Sequence, residues 1–129
     1  MATLEDVDRL ASGFPDVTVG TRYGNRTWSV GRTAFAWERP FSKADLKRFG
    51  DEEPPTGPIV AIAAADLHEK AAILSAHRHS CFTISHFDNY PAVLVRVEAA
   101  TPNELRELLE DGWLVGAPAA VARAYLAGR

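Results

Sequence analysis

Three histidines and the single cysteine lie within ten positions of one another: His77, His79, Cys81 and His86. Imidazole and thiolate groups are ligands that zinc prefers, and in an extended chain residues 77, 79 and 81 would share one face. His77, however, is predicted to end a helix, which breaks that alternation, and the spacing matches no established zinc signature. We therefore predict no metal site.

The same residues offer two further kinds of chemistry. Cys81 could serve as a nucleophile, which needs a lowered pKa and an accessible thiol, but it directly precedes the apolar Phe82 and is predicted to be a buried packing residue. His86 and Asp88 could form an acid–base pair, although an aspartate in such a turn typically accepts backbone hydrogen bonds. Because no catalytic or nucleotide-binding motif is present either, we predict a protein that is not an enzyme and needs no cofactor.

Basic residues are concentrated in one part of a chain whose net charge is −3. Between residues 20 and 48, seven basic residues stand against two acidic ones, a net +5, which leaves −8 for the rest. A two-stranded hairpin can enter the DNA major groove, and aromatic rings can stack on bases. We predict Arg22, Arg26 and Arg32 as phosphate contacts, with Tyr23 as a stacking group. The alternative is an ordinary solvated surface.

Length and composition limit the architecture. The chain of 129 residues is 47% hydrophobic and 24% charged, which is typical of one globular domain, here residues 1–129. A core of this size forms without disulfides, and one cysteine cannot make an internal one. We find neither a signal-peptide pattern nor an apolar run near the ~20 residues of a membrane span. These features predict a cytoplasmic protein with no membrane partner.

Hydrophobic periodicity and capping residues predict the elements that position these side chains. Helices are predicted to begin after Thr3, Ser42, Asp66, Thr101 and near Pro118, the second of them short. Strands are predicted at residues 27–30, 33–38, 59–63, 82–84 and 92–97. The side chains expected to face inward from the helices are Leu46, Phe49, Leu67, Ala71, Leu74, Leu105, Leu108, Leu109 and Trp113.

The turns decide how these elements connect. Residues 14–25 are rich in turn formers and are predicted to be a link, whereas Gly31 and Arg32 suit a tight hairpin. In the returning strand, Phe35 and Trp37 are predicted to share one buried face, with Trp28 also in the core. Counting the longer elements, the order α-β-β-β-α-β-β-α predicts an α+β two-layer sandwich, an antiparallel sheet with helices on one face.

Two stretches resemble the hallmark motifs of the MmcQ/YjbR family: Gly20–Val30 (GTRYGNRTWSV) and His86–Val95 (HFDNYPAVLV). The resemblance covers nearly the whole chain. It implies a bacterial protein with the compact fold that type III secretion chaperones share and that is similar to bacterial frataxin CyaY. Asn89 stands where the family more often has Gly, and because Asn also tolerates positive φ, the loop is predicted to be preserved.

Two functions follow from the residues and the resemblance together. The family is commonly labelled DNA-binding on the basis of fold comparison, which agrees with the basic hairpin, and we predict DNA as the partner. The alternative is a chaperone-like adaptor that binds a protein or peptide, as a monomer or a homodimer, since the related secretion chaperones dimerise. Tyr90, Pro91 and Tyr125 are the residues that would be exposed for such contacts.

Overall fold

The computed structural model describes all 129 residues. Helices and strands follow in the order α1 (Leu4–Ser12), β1 (Val17–Arg22), β2 (Asn25–Val30), β3 (Thr33–Glu38), α2 (Lys43–Phe49), β4 (Ile59–Ala63), α3 (Leu67–Ala76), β5 (Cys81–Phe82), β6 (Ala92–Arg96), α4 (Pro102–Gly116) and α5 (Ala119–Ala127). All strand pairs are antiparallel, in the order β1-β2-β3-β4-β6-β5, so β1 and β5 are the edges. The predicted fold class is confirmed. None of the helices is long and apolar enough to cross a membrane.

The main core lies between the sheet and the helices α1 and α4. Thr101 caps α4 through its side chain, and Pro102 occupies the first turn, where its missing N–H costs nothing. The cap sets the residue at which α4 begins. The four apolar residues of α4 that were predicted to face inward are buried, as expected. They are Leu105, Leu108, Leu109 and Trp113. A second, smaller cluster covers part of the other sheet face, where Phe87 packs on Ile59, Ala61 and Leu94.

The segment predicted as a turn-rich link contains the edge strand β1. Valine and threonine alternate along it, and both favour a pleated conformation. The turn itself is confined to Tyr23 and Gly24, whose φ values of +53° and +80° define a two-residue hairpin loop of type I′. The prediction of a link over residues 14–25 was wrong because Gly20, a residue type common in turns, lies inside this strand.

A bulge between β2 and β3 changes which face the aromatic residues occupy. The pairing register shifts next to Trp28, and Phe35 and Ala36 both contact the helix-side core. An extra residue in one strand reverses the alternation beyond it. Trp37 consequently packs against the second cluster, so the prediction that Phe35 and Trp37 share one face was wrong.

Two helices bury faces other than those predicted. In α2, Leu46 is 46% exposed, and in α3, Leu67 and Ala71 are exposed. The buried residues of α3 are instead Lys70 and Ile73. In α3 the buried face is set by a polar contact, because the Lys70 ammonium binds two backbone carbonyls below the helix. A hydrophobicity pattern cannot predict such a contact.

Candidate binding site

The structure places the four predicted nucleic-acid contacts at three separate positions. Tyr23 is fully exposed at the tip of the β1–β2 hairpin, with Arg22 exposed directly before it. Arg32 lies in the turn at the other end of β2. The two ends of β2 are five residues apart, which corresponds to about 17 Å at the usual rise per residue of a strand. Arg22 and Tyr23 are thus brought together, and Arg32 is not.

Arg26 is held against the protein by two carboxylates. Its Nε donates to Glu38 Oε1 at 2.9 Å, its Nη1 lies 3.8 Å from Asp8 Oδ2, and its guanidinium stands 5.6 Å from the Trp28 ring centre. Both acids come from other elements of the chain. The positive charge of Arg26 is therefore largely compensated within the molecule, and its role as a phosphate contact stays a prediction.

The histidines of the candidate metal cluster contact a carboxylate. His77 Nδ1 lies 2.6 Å from one oxygen of Glu104 and His79 Nε2 lies 3.0 Å from the other. Burial alone would raise the pKa of Glu104, but these hydrogen bonds outweigh it and hold the pKa below its usual range. No group of three or more His, Cys, Asp or Glu side chains is arranged to hold a metal ion.

Cys81 is a buried packing residue, as predicted, with 4% of its surface exposed. Burial raises the pKa of its thiol to about 11, so the thiol stays protonated at neutral pH and is a poor nucleophile.

The loop of the second family motif is anchored by a buried lysine. Lys70 Nζ donates to the carbonyls of Phe87 at 2.6 Å and Tyr90 at 2.9 Å. Burial lowers the pKa of this ammonium, and the nearby Asp88 carboxylate partly opposes the shift. Asn89 adopts φ +63°, the conformation expected of a residue that replaces glycine. These contacts fix the loop over the sheet.

A trough runs along the open edge of β5, and no feature of the sequence predicted it. Two adjoining cavities of about 460 and 200 Å³ share the lining residues Phe49, Glu52 and Thr83. One wall consists of residues 78–85, which contain β5. The other wall lies within residues 45–55, which contain the end of α2 and the loop after it.

Backbone groups on one wall of the trough are free to pair. The Arg96 amide donates to the Ser80 carbonyl at 2.8 Å, which makes these two residues a hydrogen-bonded pair of the ladder. Because such pairs alternate along antiparallel strands, Phe82 also bonds to β6, whereas Cys81 and Thr83 direct their backbone groups to the open side. The Cys81 amide is occupied by the His77 carbonyl. The Cys81 carbonyl and the Thr83 backbone therefore face the trough.

Both buried side-chain polar atoms that lack a hydrogen-bond partner belong to residues of this trough: Asp45 Oδ1 and Arg96 Nε. The Asp45 side chain is only 1% exposed, and its other oxygen accepts from Arg39 and from the Ser42 amide, both at 2.9 Å. Burial would raise the pKa of Asp45, but these bonds keep it below its usual range. Orphaned buried atoms are rare in native proteins, and a water or an ion is a common partner of such atoms.

The charges of the trough are segregated along its walls. Arg78 and Arg96 line the wall of β5 and have no ion-pair partner in the chain. On the wall formed by residues 45–55, Arg48 Nη1 lies 3.6 Å from Asp45 Oδ1. Glu52 and Glu53 line that same wall. An acidic group can therefore bind at the wall of β5 without displacing an existing salt bridge.

Comparison with known proteins finds relatives in bacteria. No family model matches the sequence. The uncharacterized proteins Rv2570 of Mycobacterium tuberculosis and Mb2600 of Mycobacterium bovis are each 41% identical over 130 residues, which cover 98% of this chain and 98% of theirs. The chain belongs to the family of these mycobacterial proteins.

A similar fold is found in the solved structure of a more distant protein. The crystal structure of Deinococcus radiodurans protein DR2400, described as a DUF419 domain, matches with a TM-score of 0.64 and 16% identity. The match covers 96% of this chain and 88% of that one. At so low an identity, the likeness shows the shared fold alone.

Proposed function

We propose that the protein is a non-enzymatic module that binds an extended polypeptide segment along the open edge of β5. The observation that carries this proposal is the unpaired edge of β5, where the Cys81 carbonyl and the Thr83 backbone face the trough. Strand addition uses main-chain hydrogen bonds for affinity and flanking side chains for specificity. The trough offers both kinds of contact along residues 78–85.

The chemistry of the walls defines the segment. Arg78 and Arg96 both line the wall of β5 and have no ion-pair partner in the chain, so we expect one side chain of the ligand to be acidic. The pairing stretch contains no proline, because proline cannot donate to the ladder.

A peptide selection tests this function. From a random library of eight-residue peptides displayed on phage, we expect enriched sequences that share an acidic residue and bind the purified protein. Arg96→Met retains the packing of the aliphatic stem but loses a charged hydrogen bond, so the affinity measured by fluorescence anisotropy should fall about tenfold or more. Arg78→Met, an exposed change, should weaken binding in the same direction.

Arg123→Met is the matched control, since Arg123 is exposed on α5 outside the trough. It should bind the selected peptides like the wild type, and the melting temperatures of all three variants should stay close together. Failure to enrich any peptide, or unchanged affinity in both Arg96→Met and Arg78→Met, would contradict the proposal.

Nucleic-acid binding is a second proposed function, supported by the exposed pair Arg22 and Tyr23 at one hairpin tip. In an anisotropy titration at low salt, binding of a 20-base duplex or single strand should weaken steeply as salt is added. Arg22→Ala should weaken both complexes about threefold to tenfold, and Tyr23→Ala the single strand more than the duplex. Arg123→Ala serves as the control, and an absence of binding at low salt would refute this function.

We further propose that the chain is part of the MmcQ/YjbR group and acts in the cytoplasm. The first proposal is supported by the two motif stretches and by the fold, since the DUF419 domain has a fold of the YjbR/MmcQ kind. The second is supported by the single unpaired thiol of Cys81, which suits a reducing compartment.

A further inference from the structure

The second edge of the sheet, β1, carries few of the devices that usually keep edge strands apart, and Arg22 is its only charged residue. It is six residues long, contains no proline or lysine, and pairs with β2 in an uninterrupted register. Five of its six residues are exposed, and Val19 presents 49% of its surface. Edges of this kind readily pair with another strand.

The hairpin turn determines which backbone groups of β1 are free. Arg22 and Asn25 flank the two-residue loop and form the closing hydrogen-bonded pair of a type I′ turn. Hydrogen-bonded positions then alternate, so Arg22, Gly20 and Thr18 bond to β2. Val17, Val19 and Thr21 direct their amides and carbonyls to the open edge.

We propose that two copies of the chain pair through β1, antiparallel about a two-fold axis at Val19. In this register Val19 pairs with its own copy, and Val17 pairs with Thr21, so the outward-facing residues bond to one another. Asp16 lies in the turn directly before β1, with φ +58°, and this register brings it close to Arg22 of the other copy at both ends. Neither residue has an ion-pair partner within the chain, and both are exposed.

Charge complementarity selects this register over its neighbour. With the axis at Gly20, residues that face the open edge also pair with one another, and Val19 lies opposite Thr21. In that register, however, Arg22 lies opposite Thr18, and Asp16 has no basic partner. The Val19 axis instead gives one apolar cross-strand pair and brings Asp16 near Arg22 at both ends, contacts that stabilise antiparallel pairing.

The dimer would form a continuous sheet of twelve strands, because β1 lies at the end of a six-stranded sheet. Its two outer edges would then both be β5, each with a trough. A partner with two suitable segments could bind both troughs at once, with an effective concentration set by the linker between the segments. The pairing itself does not depend on the proposed peptide-binding function.

A charge swap tests the pairing and its register. We expect sedimentation equilibrium to show a concentration-dependent dimer of the full chain. Arg22→Asp or Asp16→Arg alone places like charges opposite each other, and each should weaken the dimer about tenfold or more. The double variant carrying both changes should restore dimer affinity to within about threefold of the wild type.

Val19→Lys places a charge at the axis and should give a monomer with an unchanged peptide affinity at the trough. Melting temperatures check that each exposed change leaves the fold intact. A wild-type chain that stays monomeric at millimolar concentration would overturn the pairing. A dimer that survives Val19→Lys, or a double variant no tighter than the single ones, would overturn the register.

Discussion

Replacing Gly112 by valine is expected to lower the free energy of unfolding by about 3 kcal/mol, because α4 has no room for a side chain there. A Cβ at this position would lie 2.7 Å from Ile62 Cγ2 and 3.2 Å from the Phe35 carbonyl oxygen. The backbone of β3 cannot yield as a flexible side chain would. The higher helix propensity of a residue other than glycine, at most about 1 kcal/mol, does not offset the overlap.

Urea denaturation followed by far-UV circular dichroism measures the change. Gly20→Ala is the control: Gly20 lies in the exposed edge strand, and no atom lies within 4 Å of a Cβ added there. It should change the free energy of unfolding by less than about 0.5 kcal/mol. Equal effects of the two substitutions would show that α4 is not packed on the sheet at Gly112.

Asp45→Ala is expected to destabilise the protein by about 3 kcal/mol at neutral pH, since it removes one partner of a buried ion pair. Its carboxylate caps α2 by accepting from the Ser42 amide, and it accepts from Arg39 Nη1 at 2.9 Å. Removing it leaves Arg39, which is only 18% exposed, without a counter-charge. The loosened α2 should also widen the trough.

The effect of Asp45→Ala should depend on pH. Because the pKa of Asp45 is lowered in the folded state, its contribution is full above the ordinary value of 3.8 and is lost as the pH falls through the folded pKa. The difference between wild type and variant should therefore shrink between about pH 5 and about pH 2. Asp51→Ala, an exposed change on the following loop, should have no such effect. A difference that is constant with pH would contradict the ion pair.

Local signals in the sequence were sufficient for most of the helices. Thr3, Ser42 and Thr101 each cap a helix through the predicted side-chain bond, because capping involves residues only three positions apart. The face of a short helix was harder to predict. In α3 the buried Lys70 binds carbonyls 17 and 20 residues away, and such partners are known only once the chain is folded.

The candidate site was beyond sequence reasoning for the same reason. Arg96 and Arg78 line one trough at the sheet edge because β6 lies between β4 and β5, and the order of strands along the chain does not reveal that β5 is the edge. In the basic segment, the sequence did not show which positive charges are compensated within the folded chain. Arg26 is one of the basic residues of this segment, but part of its charge is compensated by Asp8 of α1, which lies far from it in the sequence.

Mapping a selected peptide by NMR tests the central claim most directly. On a ¹⁵N-labelled full chain, addition of the peptide should shift the amide signals of residues 45–55 and 78–85, which form the trough. The amide of Thr83, which faces the open edge, should become protected from hydrogen exchange. Shifts confined to the β1–β2 hairpin, or no protection at Thr83 in the saturated complex, would contradict binding by strand addition to β5.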